Sequence, residues 1–219
     1  MLHRLARWGL ASVTLGAGIM ALAGDWRSPY LWTVAVGVAG LGLWTTLCIL
    51  DPELARERFH PPSPGVDAVA LRWVRLAALA TLIFAPLDGG RLHWSPEVPP
   101  VVRIVAICGF LAGFWFTMRA MSANRFFSSV VRIQEDRGHH VVDGGPYAVI
   151  RHPGYLGMIV FCPMAAIALG SWWALVPACL YSGLILRRIS YEDRFLHANL
   201  AGYGDYAARV RYRLLPRIW

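Results

Sequence analysis

The chain of 219 residues contains no lysine; all 21 of its basic residues are arginine. That excludes two chemistries at once, because a Walker A phosphate loop and a pyridoxal phosphate Schiff base each need a lysine amine. Charge is also scarce. Charged types make up 16% of the residues, hydrophobic types 57%, and mean hydropathy is +0.47, whereas an ordinary soluble domain is about a quarter charged. The four cysteines, Cys48, Cys108, Cys162 and Cys179, lie inside apolar runs. No two have metal-site or redox-pair spacing, so they read as buried, inert thiols. Disorder, a collagen-like repeat and a secreted disulfide scaffold are excluded, and the composition is that of an integral membrane protein.

A helix needs roughly 20 mostly apolar residues to cross a bilayer. Such runs occupy 7–24, 30–50, 70–87 and 100–121, and a hairpin follows at 155–170 and 172–189. No small-x-small cleavage site follows the first run, so it reads as a retained span. The expected fold is all-α and polytopic, with about six spans, the last two a kinked hairpin. With the N-terminus in the cytoplasm, every arginine except Arg27, Arg91 and Arg103 falls on the cytoplasmic side, as the positive-inside rule requires. Both termini are then cytoplasmic, and Trp32, Trp94, Trp172 and Trp173 form an aromatic belt at the outer interface. The net charge of +8 reads as loops facing anionic membrane lipids, with no nucleic acid as partner. Nothing in the sequence sets an oligomeric state.

Proline and glycine mark the helix ends. Pro29 and Pro99–Pro100 open helices, where a missing N–H costs little. Pro163 and Pro177 are expected inside the hairpin, kinking it. Gly170–Ser171 is expected to be the whole outer turn, with Ser171 as N-cap. Gly109 and Gly113 form a GxxxG for close helix packing. The run Gly37–Gly42 (GVAGLG) has glycines spaced somewhat like a dinucleotide-binding loop, but it lies mid-span with no strand before it, so helix packing is its reading.

Few ionisable groups lie within spans in the first 115 residues. The chain divides into N-terminal transmembrane helices, 1–118, and a half built of loop, hairpin and C-terminal helix, 119–219, where the polar residues gather. In Gly145-Pro146-Tyr147 and Arg151-His152-Pro153-Gly154-Tyr155, Pro153 starts a helix and leaves His152 near its N-cap, where backbone N–H groups favour an anion. Arg151 either adds a bidentate contact to that anion or reaches to lipid headgroups. Glu192 either pairs with Arg188 four residues before it, or faces the His152 loop and meets a ligand cation. Asp193 points about 100° away on a helix and is expected to matter less. Tyr203, Tyr206 and Val210 share one face, as a packed edge or a ligand contact. Arg209, Arg211, Arg213 and Arg217 read as headgroup contacts. His139–His140 has no third ligand at useful spacing, so no metal site is expected.

Taken in order, Gly145-Pro146-Tyr147, Arg151-His152-Pro153-Gly154-Tyr155-Leu156-Gly157, Glu192-Asp193 and Tyr203…Tyr206…Val210…Pro216 resemble the isoprenylcysteine carboxyl methyltransferase and phospholipid methyltransferase family of integral membrane enzymes. Val131-Arg132-Ile133-Gln134 followed by Gly138-His139 is similar to that family's lead-in. The resemblance covers roughly 120–219. The chain departs from the pattern where Glu192-Asp193 replaces Glu-Glu and where Ala201-Gly202 replaces Phe-Gly.

The resemblance implies S-adenosyl-L-methionine as methyl donor, in a cofactor site at the cytoplasmic face. It places Arg132, Gln134, His139, Tyr147, Arg151, His152, Pro153, Tyr155, Leu156, Glu192 and Tyr206 around the donor, with Glu192 and Arg188 as the catalytic positions. It implies a lipid-like or lipidated acceptor entering from the bilayer, with isoprenylcysteine carboxyl O-methylation as the leading reading. The alternatives are a phospholipid amine N-methyltransferase and an NADPH-dependent membrane reductase. The all-arginine, Gly/Ala-rich composition points to a bacterial inner membrane. The arginine bias predicts that reporter fusions at Gly90 and Gly170 are exported while fusions at Gly138 and Trp219 stay inside. A cytoplasmic reporter at Gly170 would remove the hairpin.

Overall fold

The computed structural model describes residues 2–48 and 52–219. The last two residues of the second expected span, 49 and 50, lie outside the described residues, as does the side chain of Cys48. Among the described residues every regular element is helical: α1 (Leu2–Ala23), α2 (Pro29–Cys48), α3 (Pro52–Phe59), α4 (Ala68–Leu87), α5 (Pro100–Ala123), α6 (Pro153–Ala168), α7 (Leu175–Asn199) and α8 (Tyr203–Arg209). A π-turn, Asp88–Leu92, extends α4. Pro29, Pro52, Pro100 and Pro153 open their helices, where the N–H they lack would have had no intrahelical partner.

The protein is an integral membrane protein. Helices α1, α2, α4 with its π-turn, and α5 are long and apolar enough to cross a bilayer. Their outward faces expose Leu10, Val13, Val36, Leu76, Leu79, Ile104 and Val105, a surface that lipid covers and water would not tolerate. Helix α6 is shorter, with 16 residues. It runs antiparallel to α5: the Thr117 hydroxyl donates to the Gly154 carbonyl at 3.3 Å, and Arg103 Nε donates to the Ala168 carbonyl at 2.9 Å. The hairpin of α6 and α7 therefore occupies the same layer as the long helices.

Small residues bring α5 and α6 together. A Cβ on Gly157 would lie 2.3 Å from Thr117 Oγ1 and 2.5 Å from the Gly113 carbonyl oxygen. Gly109 of the GxxxG packs on Met164, and Gly37 of the GVAGLG run packs on Leu111. In lipid, where apolar burial drives helices together weakly, such close backbone approach supplies the dispersion contacts that hold them.

At the end opposite α3 and α8, two of the few arginines have helix-capping roles. Arg91 donates to the Ala21 and Leu22 carbonyls at 2.8 and 3.0 Å, and Arg103 caps α6 through Ala168. Both satisfy carbonyls that a helix C-terminus leaves without partners. Asp88, fully buried, accepts hydrogen bonds from the Trp94 and Ser95 N–H groups at 2.8 and 3.0 Å and from the Ser95 and Ser171 hydroxyls.

Three expectations change. Pro163 is inside α6, but Pro177 is in the first turn of α7, where its missing N–H is no loss. The outer turn is longer than Gly170–Ser171, and Ala174 is the N-cap. Ser171 Oγ accepts the Ala174 N–H at 3.0 Å while its own proton goes to Asp88. Of the three cysteines whose side chains are described, Cys162 is buried, while Cys108 and Cys179 sit exposed on helix faces, because an apolar run in a membrane protein has a lipid side as well as a core side.

The α5–α6 contact gives a direct test. Gly157→Ala should destabilise by about 1–3 kcal/mol through overpacking, lowering the thermal midpoint in detergent. Gly18→Ala, where nothing lies within 4 Å of the added carbon, should leave it unchanged. Equal midpoints for the two variants would contradict the close approach.

Candidate functional site

The chain's polar residues and its apolar helices meet in one cavity of about 430 Å³ at the end that carries α3 and α8. Loop 124–152 forms one side through Phe126, Gln134, His139 and Tyr147. The start of α6 adds His152 and Tyr155, α7 adds Arg188 and Glu192, and α8 adds Tyr203 and Tyr206. The deeper wall is apolar: Leu71, Val74 and Ala78 of α4, Met158 and Phe161 of α6, Tyr181 and Ile185 of α7.

Asp193 fixes the entrance. Its carboxylate accepts from Arg151 Nε at 2.9 Å and Nη2 at 3.2 Å, from the Tyr203 hydroxyl at 2.9 Å and from Arg213 Nε at 2.9 Å. His152 Nε2 lies 3.3 Å away. Burial works to raise the Asp193 pKa, but the hydrogen bonds from His152 and Arg151 outweigh it and hold the group well below the usual carboxylate range. Arg151 also donates to the Val210 and Arg211 carbonyls, both at 2.8 Å. Two backbone bonds, Arg151 N–H to Tyr212 and His152 N–H to Arg213, each 2.9 Å, lay the tail beside the loop.

A second network supports the loop. Glu57 of α3 accepts from Arg132 at 2.7 and 3.1 Å and from the Ser128 hydroxyl at 2.6 Å. Burial again opposes ionisation, but these donors prevail and keep Glu57 below its ordinary pKa. Gln134, buried, donates to the Phe126 carbonyl at 2.8 Å and accepts from Arg137 at 2.6 Å. The His139 ring lies 4.5 Å from that of Phe126. Burial, then the nearby charges of His140, Arg132 and Arg137, push its pKa down to about 4. It is neutral at pH 7, which leaves Nδ1 free to accept the Gln134 N–H at 3.3 Å. Burial also raises the phenol pKa of Tyr147 and of Tyr203, so both remain neutral.

At the centre, the Tyr155 hydroxyl donates to Glu192 Oε2 at 2.5 Å. Arg188 Nη2 donates to the Ser129 carbonyl at 2.8 Å and sits 3.0 Å from Asp67 Oδ2. Asp67 Oδ2 itself has no aligned hydrogen bond, so that contact is one of charge with charge.

Most expected positions converge: Arg132, Gln134, His139, Tyr147, Arg151, His152, Tyr155, Arg188, Glu192 and Tyr206 all line the cavity. Five positions sit differently from what was expected. Pro153 is packed beneath the loop as the first residue of α6, and Leu156 faces the helix core, a 100° step round from Tyr155. Arg188 pairs with Asp67 instead of Glu192. Arg151 is spent on Asp193 and not held ready for an anion. Asp193, read as the lesser acid, is 1% exposed and is the more connected of the two. Tyr203, Tyr206 and Val210 do share a buried face, joined by Leu200. Among the described residues no cluster of three or more ligating side chains is arranged for a metal.

Sequence reading missed the contribution of the N-terminal half: Glu57, Arg58 and Asp67 enter the site or its support. The available signal was the charge-dense octapeptide PELARERF of α3 between two apolar spans.

Residues 101–201 match the phospholipid methyltransferase family. The chain is 30% identical over 95 residues to the probable protein-S-isoprenylcysteine O-methyltransferase of Oryza sativa subsp. indica, covering 42% of this chain and 50% of that protein. It thus spans about half the length of that relative. Similarity to protein-S-isoprenylcysteine O-methyltransferase B of Arabidopsis thaliana is 28% over 153 residues, 65% of this chain and 70% of the relative. The protein-S-isoprenylcysteine O-methyltransferase of Schizosaccharomyces pombe is 25% identical over 161 residues, 64% of each.

The Asp193 network predicts a pH signature. A carboxylate whose pKa is depressed on folding stabilises the protein above its unfolded value, about 3.9, and that contribution is lost as pH falls through the folded value. Asp193→Asn should cost roughly 3–5 kcal/mol at neutral pH, the range for breaking a buried ion pair. Below about pH 4 the gap to the unaltered protein should narrow, as thermal unfolding across pH will show. A pH-independent difference would remove the charge from the explanation. Over residues 101–201, which run from α5 through the loop and α6 to just past α7, the chain is similar in sequence to the phospholipid methyltransferase family.

Proposed function

We propose that the protein is an S-adenosylmethionine-dependent methyltransferase acting on a lipid-like acceptor, of the isoprenylcysteine carboxyl O-methyltransferase type. Its setting is a bacterial inner membrane, with both termini in the cytoplasm. The observation that carries this reading is Glu192. Among the described residues it is the one carboxylate lining the cavity, and no arginine or histidine forms an ion pair with it; Tyr155 holds it. A carboxylate so placed attracts a ligand cation.

The cavity's residues fit such a donor. Ser129 Oγ and Arg188 Nε are buried without hydrogen-bond partners, and both residues line the cavity. A native fold rarely leaves such atoms unsatisfied unless a ligand or water completes them. Phe126, Tyr147 and Tyr206 offer apolar ring surface for a base, and Glu192 offers charge for an ammonium or sulfonium. When bound, S-adenosylmethionine supplies a methyl group activated by sulfonium, transferred by in-line displacement with a neutral thioether as leaving group. The chain's part is to bind, orient and exclude water, and orientation alone is worth roughly 7–11 kcal/mol in favourable cases. His152, fixed by Asp193, and Tyr155, fixed by Glu192, keep their rotamers without a ligand. Tyr203 and Tyr206 close the water side. A carboxylate acceptor is already nucleophilic and needs no proton removed.

Calorimetry with purified protein tests this. S-adenosylmethionine should bind in the micromolar range, roughly −8 kcal/mol, with little NADPH binding. Glu192→Gln should weaken donor binding about ten- to hundredfold, the loss of a charge-assisted hydrogen bond. Unchanged donor affinity with collapsed turnover would instead make Glu192 a base for an amine acceptor. If neither changes, the assignment of Glu192 fails.

A further inference from the structure

Two of the three helices that wall the cavity, α6 and α7, share one polarity. On α4, Leu71, Val74, Arg75 and Ala78 line it, the spacing of a single helical face. Arg75 stands between Val74 and Ala78, one arginine on an otherwise apolar face. On α6 the order is Tyr155, then Met158 and Phe161; on α7, read inward from the site, it is Glu192 and Arg188, then Ile185 and Tyr181. At 1.5 Å per residue, the apolar part extends roughly 10 Å beyond the charged rim. That is the profile of a charged head with an apolar tail.

The cations at the rim are unequally matched. Arg132 is neutralised by Glu57, Arg151 by Asp193 and Arg188 by Asp67. Arg58 and Arg75 form no ion pair with any carboxylate among the described residues, yet both line the cavity. Arg58 makes one hydrogen bond, to the Ser128 carbonyl at 3.1 Å, and its guanidinium lies 5.2 Å from the Phe127 ring centroid. A guanidinium has five N–H donors, so most of its capacity is unused. Burial, together with like charge from Arg188 and Arg75, works against its charged form, and an anion would relieve that. Glu192, the cavity's own carboxylate, is engaged by Tyr155.

Resting on the methyltransferase reading above, we propose that Arg58 of α3, assisted by Arg75 of α4, anchors an anionic headgroup on the acceptor while its single apolar tail lies along α4, α6 and α7. The cavity then keeps two opposite charges of its own: Glu192 for the donor's cation, Arg58 for the acceptor's anion. An acceptor with a cationic head meets unpaired arginines and is disfavoured. The headgroup chemistry is carboxylate or phosphate; geometry that admits one bidentate anion on a guanidinium admits the other.

The test measures acceptor-like and donor binding separately, in nanodiscs of phosphatidylcholine with empty discs subtracted. Tritiated oleate, oleyl alcohol and oleoyl lysophosphatidate are the probes, and S-adenosylmethionine affinity is taken on the same samples. Oleate or the lysophosphatidate should bind at least tenfold more tightly than the alcohol, and the tighter of the two names the headgroup. Arg58→Ala should weaken the anion about ten- to hundredfold and leave the alcohol and the donor unchanged, with Arg75→Ala acting in the same direction. Arg58→Lys keeps the charge and should recover part of the loss, and an unaltered thermal midpoint shows that each variant is folded. Equal losses for oleate and alcohol, or anion affinity untouched in the Arg58→Ala/Arg75→Ala double variant, would overturn the anchor. A protein that binds oleate through Arg58 but never binds S-adenosylmethionine would overturn the methyltransferase reading and leave the anion site standing.

Discussion

A carboxylate with no access to water must be surrounded by donors or give up its charge, and Asp193 is surrounded. Arg151, His152, Tyr203 and Arg213 come to it from the loop, the start of α6, α8 and the tail. Each of those segments is short, and α8 at seven residues has too few internal hydrogen bonds to persist alone. The charge does for them what a core does for a larger domain. It fixes His152 at the head of α6, sets Tyr203 against the cavity, and lays residues 210–213 beside 151–152. Glu57 repeats the device on the other side, binding Arg132 and Ser128 so that loop 124–152 keeps one shape.

These ionic ties have a reason to exist in this setting. Membrane helices gain little from burying apolar surface, since lipid is as apolar as the protein core. The long helices therefore meet through small residues, Gly113 on Gly157 above all, and the loop and tail are held by charge. The outcome is a rigid rim on a packed bundle, with the cavity where the two meet. Its chemistry follows from that position: ionised and hydrogen-bonding side chains on the water side, aliphatic and aromatic ones toward the bilayer. On the proposed reading, a site built this way suits two reactants of different character, one polar from the water side and one with an apolar tail from the bilayer.

Much of this was legible from residue order alone. Long runs of apolar residues specify membrane helices because the bilayer leaves the backbone no other way to satisfy its hydrogen bonds. Proline at 29, 100 and 153 marks helix starts for a purely local reason. Tyr203, Tyr206 and Val210 share a face because a helix turns about 100° per residue. The motif residues from Gln134 to Glu192 converge because the hairpin returns the chain to its starting face.

Helical periodicity tells which residues share a face, but not what that face meets, and there the tertiary structure decided. Glu192 and Asp193 are neighbours with the same charge, and only packing makes one a cavity wall and the other a buried anchor. Arg188 is four residues from Glu192 yet pairs with Asp67, more than a hundred positions earlier, because α7 lies against α4. Arg58 and Glu57 come from a short helix between two spans and reach a site whose motifs all lie beyond residue 120. The partner of a charge is set by distance in space, and a long-range contact leaves no trace in the spacing of a single chain.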